Sequence, residues 1–461
     1  MKITVLNGSP KGDLSATMQY VLYIQQHYPA HEFVIHNISH DIKKIERDRE
    51  NFKTIINDVR SSDAVIWAFP LYYFLVPSQY KRFIELVSER GADSAFKNKY
   101  AAVLTTSIHF FDHTAHSYMR AICDDLGMKY AGSHSPDMYD LTHRLARLNL
   151  LQFANQFFFA VENRIPANRV YPPLIPVRSA YKPGKTNKGI DQGDKNILIL
   201  TDMQKGDKNL GGMVSRLAAS FTSKPEIINL RDLDIKGGCL GCIQCGYDNT
   251  CVYGSGDDYR EFFNTKVRKA DILFICGSVR DRYLSSKWKE YFDRSFFNNH
   301  VPVYAGKQIG FLISGNFAGL PFVREIFEAY TEMMYANLVD IVTDESGDSK
   351  LIDSLTGAMA ASAVRYSKAN YIRPHTFLSL GGKKIFRDDV FTRLKFPFVA
   401  DYKFYKRNGI FDFPQKNRKA RIIGSILTFM VKIPAFREEI YKHRMKEEMV
   451  KPLRKFIEKP G

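Results

Sequence analysis

Two long stretches of this chain can be laid over one another, and that repeat limits the folds open to it more than any single motif does. The apolar run Ile3–Leu6 precedes Lys11-Gly12-Asp13, and the run Ile197–Leu200 precedes Lys205-Gly206-Asp207, an offset of 194 residues. Further on the offset is 208 residues: Asp63-Ala64-Val65-Ile66-Trp67 matches Asp271-Ile272-Leu273-Phe274-Ile275, Tyr80-Lys81 meets Trp288-Lys289, and Lys99–Leu104 meets Lys307–Leu312. A period this long, carried by short β-rich runs alternating with helical patterns, predicts one α/β fold built twice. Strands are expected near 2–7, 32–38, 63–69, 100–107 and 127–131, and again near 196–201, 226–230, 271–277, 308–314 and 338–343. Five βα units per copy give a doubly wound parallel sheet, with its ligand at the carboxyl ends of the strands. At 461 residues the chain is too long for one core. The expected organisation is a first domain over 1–175, a linker over 176–194 around Tyr181–Gly189, a second domain over 195–378, and a basic, mostly helical extension over 379–461.

The first strand breaks into Asn7-Gly8-Ser9-Pro10-Lys11-Gly12-Asp13-Leu14-Ser15-Ala16-Thr17. A loop of Gly, Ser and Thr opening a helix presents hydroxyls and free amides to an anion. It lacks the three glycines of the dinucleotide fingerprint and the Gly-Lys-Ser/Thr ending of the nucleoside-triphosphate loop. An ordinary Ser-Pro turn with a helix cap at Ser15 is the plain alternative. The loop resembles the flavin-phosphate loop of the flavodoxin-like NAD(P)H-dependent FMN reductases. That resemblance implies two tandem flavodoxin-like domains, FMN as cofactor and NAD(P)H as donor. It assigns Ser9, Lys11, Ser15, Ala16 and Thr17 to the phosphate. It assigns Pro70, Leu71, Tyr72 and Tyr73 after the third strand, and Thr106, Ser107 and His109 after the fourth, to the isoalloxazine ring. The aromatic and apolar run Phe69–Phe74 suits a stacking platform that excludes water.

The extra length of the second copy falls where Cys239, Cys242, Cys245 and Cys251 lie, spaced C-x2-C-x2-C-x5-C. Such spacing lets the thiolates turn inward around one centre, as a cubane iron–sulfur cluster requires. Zinc is the rival metal, and a cysteine-rich turn holding nothing is the third reading. The spacing is similar to the compact motif of the iron–sulfur flavoproteins, which implies a 4Fe-4S cluster on these four residues. In that family the cluster of one subunit can serve the flavin of another, so this chain would make the pairing covalent. The second copy has Asp202-Met203 where the first has Gly8-Ser9, and a carboxylate there repels a phosphate. Its flavin site is therefore expected to be degenerate. Arg280 and Arg282 suit either a dinucleotide phosphate or ion pairs at a surface or interface. His109, His113 and His116 beside Asp112 suit a packed pocket wall better than a metal, and Cys123 and Cys276 read as core.

The formal charge is +17, and from Ser379 onward Lys and Arg number 21 against 9 Asp and Glu. Within this tail, Ile422–Val431 is apolar and flanked by Lys416, Arg418, Lys419, Arg421, Lys432 and Arg437. Ten residues cannot span a bilayer, but they can lie in an anionic interface, or else pack on the domains with a solvated basic surface. No recognition motif supports nucleic acid. No secretory pattern opens the chain, and the clustered cysteines do not form a disulfide framework, so a cytoplasmic protein, with peripheral membrane contact as an option, is expected. The resulting expectation is a flavin-dependent NAD(P)H oxidoreductase passing electrons to a small-molecule or protein acceptor. A metal-free quinone or FMN reductase and a non-enzymatic carrier or membrane-recruited module are the alternatives. A homo-oligomer stays open.

Overall fold

A computed structural model describes residues 1–185 and 189–458; Thr186, Asn187 and Lys188 of the expected linker lie outside the described residues. The first sheet comprises β1 (Lys2–Asn7), β2 (Glu32–His36), β3 (Ala64–Pro70), β4 (Tyr100–Thr106) and β5 (Lys129–His134), in the order β2-β1-β3-β4-β5. The second comprises β6 (Ile197–Thr201), β7 (Glu226–Asn229), β8 (Ile272–Ser278), β9 (Gln308–Ser314) and β10 (Asn337–Thr343), in the order β10-β9-β8-β6-β7. Every neighbouring pair is parallel. Read from the other edge, the second order is that of the first, so the repeat is one doubly wound fold in tandem. The central strands are continuous apolar runs because helices cover both faces: β3 and β4 are buried almost throughout, whereas β2 and β5 at the edges are only partly covered.

The halves meet along the helices Ser78–Glu89 and Ser286–Arg294. A single apolar cluster runs from Trp67, Tyr80 and Phe83 to Trp288, Tyr291 and Phe322. Polar contacts across the seam come in symmetric pairs. Lys81 Nζ donates to the carbonyl of Arg280 at 2.9 Å, and Lys289 Nζ to that of Tyr72 at 2.9 Å. The Ser78 amide donates to Asp293 at 2.7 Å, and the Ser286 amide to Glu85 at 2.6 Å. Each pair repeats at the sequence offset of 208, as do the left-handed residues Tyr73 and Phe74 with Asp281 and Arg282. The seam is thus an isologous interface made inside one chain.

Residues 1–404 form one compact unit, including the helix Phe377–Phe391; the residues from Tyr405 onward form another, which is helical. No described helix is long and apolar enough to cross a membrane.

Candidate functional site

The carboxyl ends of β1, β3 and β4 surround a cavity of about 420 Å³, within the usual range for cofactor sites. It lies at the switch point between β1 and β3, where open α/β sheets bind ligands. The loop after β1 reaches it because Gly12 takes φ +57° and Ser15 caps the helix Ala16–His27, its hydroxyl accepting from the Met18 amide at 3.1 Å. Lys11, Ser15 and Ala16 line the cavity, together with Pro70, Leu71, Tyr72, Tyr73, Thr106 and Ser107. Three of the residues expected there do not. Ser9 is fully buried and its hydroxyl accepts from the Lys11 amide at 3.2 Å, which shapes the loop from beneath. Thr17 is also buried, bonded hydroxyl to hydroxyl with Thr106 at 2.6 Å. His109 turns to Asp112, 3.1 Å away.

The remaining walls come from distant chain. Phe296, Asn299 and His300 of the second half join, as do Phe386, Leu394 and Phe398 after the second sheet. Asp401 accepts from the His300 ring Nδ1 at 2.5 Å and from its backbone amide at 3.1 Å, and the His300 ring lies tilted against Phe386, with ring centroids 3.8 Å apart. Arg393 fastens this segment to the first half, with 2.6 and 2.7 Å bonds to the two oxygens of Asp137. Partial burial pushes Asp137 up, but the Arg393 bonds outweigh it and hold the carboxyl below the usual range.

The cysteine loop forms another wall. Cys239, Gly241 and Ile243 line the same cavity as Lys11, Ser15 and Ala16. Gly241 has φ +64°, and a β-carbon there would collide with the Tyr72 hydroxyl, so only glycine lets the loop approach this closely. The loop is anchored by Gln79, whose side-chain amide donates to the Cys239 carbonyl at 3.1 Å, and by Arg294, which donates to the Gly237 carbonyl at 2.9 Å and pairs in two bonds with Asp257. All four cysteines line one small adjoining cavity with Arg294 and Phe296. Among the described residues, no group of three or more His, Cys, Asp or Glu is placed to hold a metal ion. Burial pushes the Cys239 and Cys245 thiols up to about 12. Asp293, fully buried beside Lys289, also lines the larger cavity; burial pushes it up to about 6 against the pull of that lysine. Burial likewise holds Tyr72 and Tyr73 well above the usual phenol range, so both hydroxyls stay protonated at neutral pH.

The other singled-out residues make contacts of their own. Arg280 pairs with Asp207 at 2.6 Å, and Arg282, buried, pairs with Asp125 across the seam. His113 meets Glu325 and His116 meets Thr105. Cys123 and Cys276 are fully buried. In the second half, Asp202 accepts from the Ser285 hydroxyl and faces Arg231. The segment Leu174–Tyr181 runs over the strand ends: Asn209 donates to the Ser179 carbonyl at 2.9 Å, and Asn316 to that of Ile175 at 3.1 Å.

Residues 1–146 match the family described as a flavodoxin-like fold. No curated protein sequence matches the chain. Among solved structures, similar ones include an NADH:FMN oxidoreductase in its apo form, 17% identical, covering 34% of this chain and 89% of its own, with a TM-score of 0.31. Another is an NAD(P)H:acceptor flavoenzyme from Paracoccus denitrificans, 18% identical over 34% of this chain and 97% of its own, TM-score 0.28. A third is an FMN-dependent NADH-azoreductase from Bacillus anthracis in complex with FMN, 14% identical over 35% and 97%, TM-score 0.25. The fold assignment rests on the family match and the strand order rather than on these likenesses. Residues 1–146 have a flavodoxin-like fold, and the sheet β6–β10 repeats its strand order in tandem.

Proposed function

We propose that the chain is a flavin-dependent NAD(P)H oxidoreductase with FMN in the first domain and a 4Fe-4S cluster on Cys239, Cys242, Cys245 and Cys251. The observation that carries this reading is the shared wall: Cys239 and Gly241 line the cavity that also presents Lys11, Ser15, Tyr72 and Thr106. When bound, FMN accepts hydride and releases electrons singly, and a cluster within the same chain supplies an exit for them. Lys11 and the first amides of the helix Ala16–His27 suit the phosphate. Tyr72 and Tyr73 give a neutral aromatic wall, and Phe74, Phe296, Phe386 and Phe398 exclude water. For the cysteines, the support is the C-x2-C-x2-C-x5-C spacing and the small cavity that all four line together. Arg294, on the same small cavity, supplies a positive charge beside an anionic cluster.

Anaerobic addition of NADH or NADPH to the full chain tests the reading. The expected result is bleaching of the flavin absorption, reversed by a one-electron acceptor; protein that binds no flavin, or a flavin band that neither nucleotide bleaches, contradicts it.

The Arg393–Asp137 clamp yields a second expectation. Arg393→Ala removes two bonds that hold the Leu394–Phe398 wall, so FMN should dissociate roughly fivefold more readily, on the order of 1 kcal/mol for a half-exposed pair. Because the Asp137 carboxyl is held below its usual range, the clamp contributes fully above about pH 4 and is lost as the pH falls below that. Flavin fluorescence on dilution measures both effects.

A further inference from the structure

The helix Arg418–Met430 leaves its apolar residues in water. It is capped by Asn417, whose side chain accepts from the Ala420 amide at 3.1 Å, and none of its residues is buried. Ile422 is 60% exposed, Ile426 54% and Phe429 69%. At 3.6 residues per turn, Ile422, Ile423, Ile426, Leu427, Phe429 and Met430 share one half of the helix surface, and Arg421, Gly424, Ser425 and Thr428 the other. Ile433, just beyond the end, is 56% exposed and prolongs the apolar patch. A contiguous patch of this kind marks a binding surface.

The charges around it select the occupant. Between Tyr405 and Arg437 there are eight Lys and Arg and a single acidic residue, Asp412. They stand on both sides of the apolar run: Lys416, Arg418, Lys419 and Arg421 before it, Lys432 and Arg437 after it. A second copy of this segment would match the apolar face but bring like charges together. An anionic phospholipid surface satisfies both features, since acyl chains accept the apolar face and headgroups the cations. Thirteen residues rise about 20 Å, too short to span a bilayer, so the helix would lie in the plane of the interface. Lys419, in the first turn on the apolar side, has a stem long enough to bring its ammonium back to the headgroups.

We propose that Arg418–Met430 is an interfacial anchor that seats its apolar face in an anionic phospholipid surface. The proposal stands independently of the cofactor reading.

Flotation of the full chain with vesicles tests it, using phosphatidylcholine alone and phosphatidylcholine mixed with phosphatidylserine. The wild-type protein should float with the mixed vesicles and stay down with the neutral ones, and raised salt should weaken the association. Ile426→Asp should lower partitioning on the order of tenfold or more. The pair Arg418→Gln and Arg421→Gln should lower it about fivefold for each charge removed. All three positions are exposed, so circular dichroism should be unchanged. Absence of flotation, equal flotation with both vesicle types, or wild-type flotation by Ile426→Asp overturns the proposal. So does a self-association that Ile426→Asp dissolves in protein that ignores vesicles, since the occupant would then be a second copy.

Discussion

Cys242→Ser should lose the iron of the proposed cluster and still bind FMN. Cys242 is the most exposed of the four cysteines, and it lines only the small cavity they share, whereas Cys239 also borders the larger one. Removing its thiolate leaves three ligands, and an incomplete set in an exposed loop does not retain a cubane. The walls contributed by Tyr72, Thr106 and Phe398 are untouched. Hydride acceptance from NAD(P)H should therefore keep its rate, while delivery to a one-electron acceptor should slow by about tenfold or more, the scale seen when a metal centre loses part of its support. Stopped-flow measurements with separate reductive and oxidative phases read the two steps apart. Loss of FMN in step with the iron, or an unchanged oxidative phase, contradicts the account.

Lys289→Met should be the most destabilising single change in the seam. Lys289 and Asp293 are both fully buried and ion-paired, the lysine also donating to the Tyr72 carbonyl and the aspartate accepting from the Ser78 amide. Without the ammonium, Asp293 keeps one backbone donor and loses the charge that made its burial tolerable. Breaking a buried pair in this way costs about 3–5 kcal/mol, which in a unit of this size lowers Tm by roughly 5 °C. Lys289→Met with Asp293→Leu should recover most of that loss, because removing both charges is far cheaper than removing one. The symmetric Lys81→Met should cost less: Glu85 retains Arg82 at 3.1 Å and bonds from both the amide and the hydroxyl of Ser286. Thermal melts of the four proteins check the order. Equal melting temperatures for wild type and Lys289→Met would show that the pair does not hold the seam.

The same seam shows how far the sequence could be read. Strand positions and the doubled sheet follow from runs such as Val65–Phe69 and Ile272–Cys276, where burial on both faces forces continuous apolar residues. The match of Tyr80-Lys81 to Trp288-Lys289 turns out to be an interface relation, since the two lysines sit in equivalent positions across the pseudo-dyad. The loops after β1, β3 and β4 were legible because each is local: a turn, a cap, a strand end. Ser9 and Thr17 carry the right chemistry in the right stretch, yet their hydroxyls are spent inside the fold, on Lys11 and Thr106. Phe296, His300, Phe386 and Phe398 left no local signal at all, because an aromatic residue on a helix reads as core until tertiary packing brings it to a cavity. In the second half, the charge of Asp202 makes the sequence expect a degenerate anion site. The chain adds a second cause, Leu174–Tyr181 lying across the strand ends, which no spacing announces.

The central claim, that one chain holds a flavin and a cluster against a common wall, is tested most directly by composition. Anaerobically purified full-length protein, assayed on one sample for FMN, iron, zinc and acid-labile sulfide, should give one FMN with about four iron and four sulfide per chain and no zinc. FMN without iron and sulfide, or zinc in their place, would contradict the relay and leave a plain flavin reductase with a structural cysteine loop.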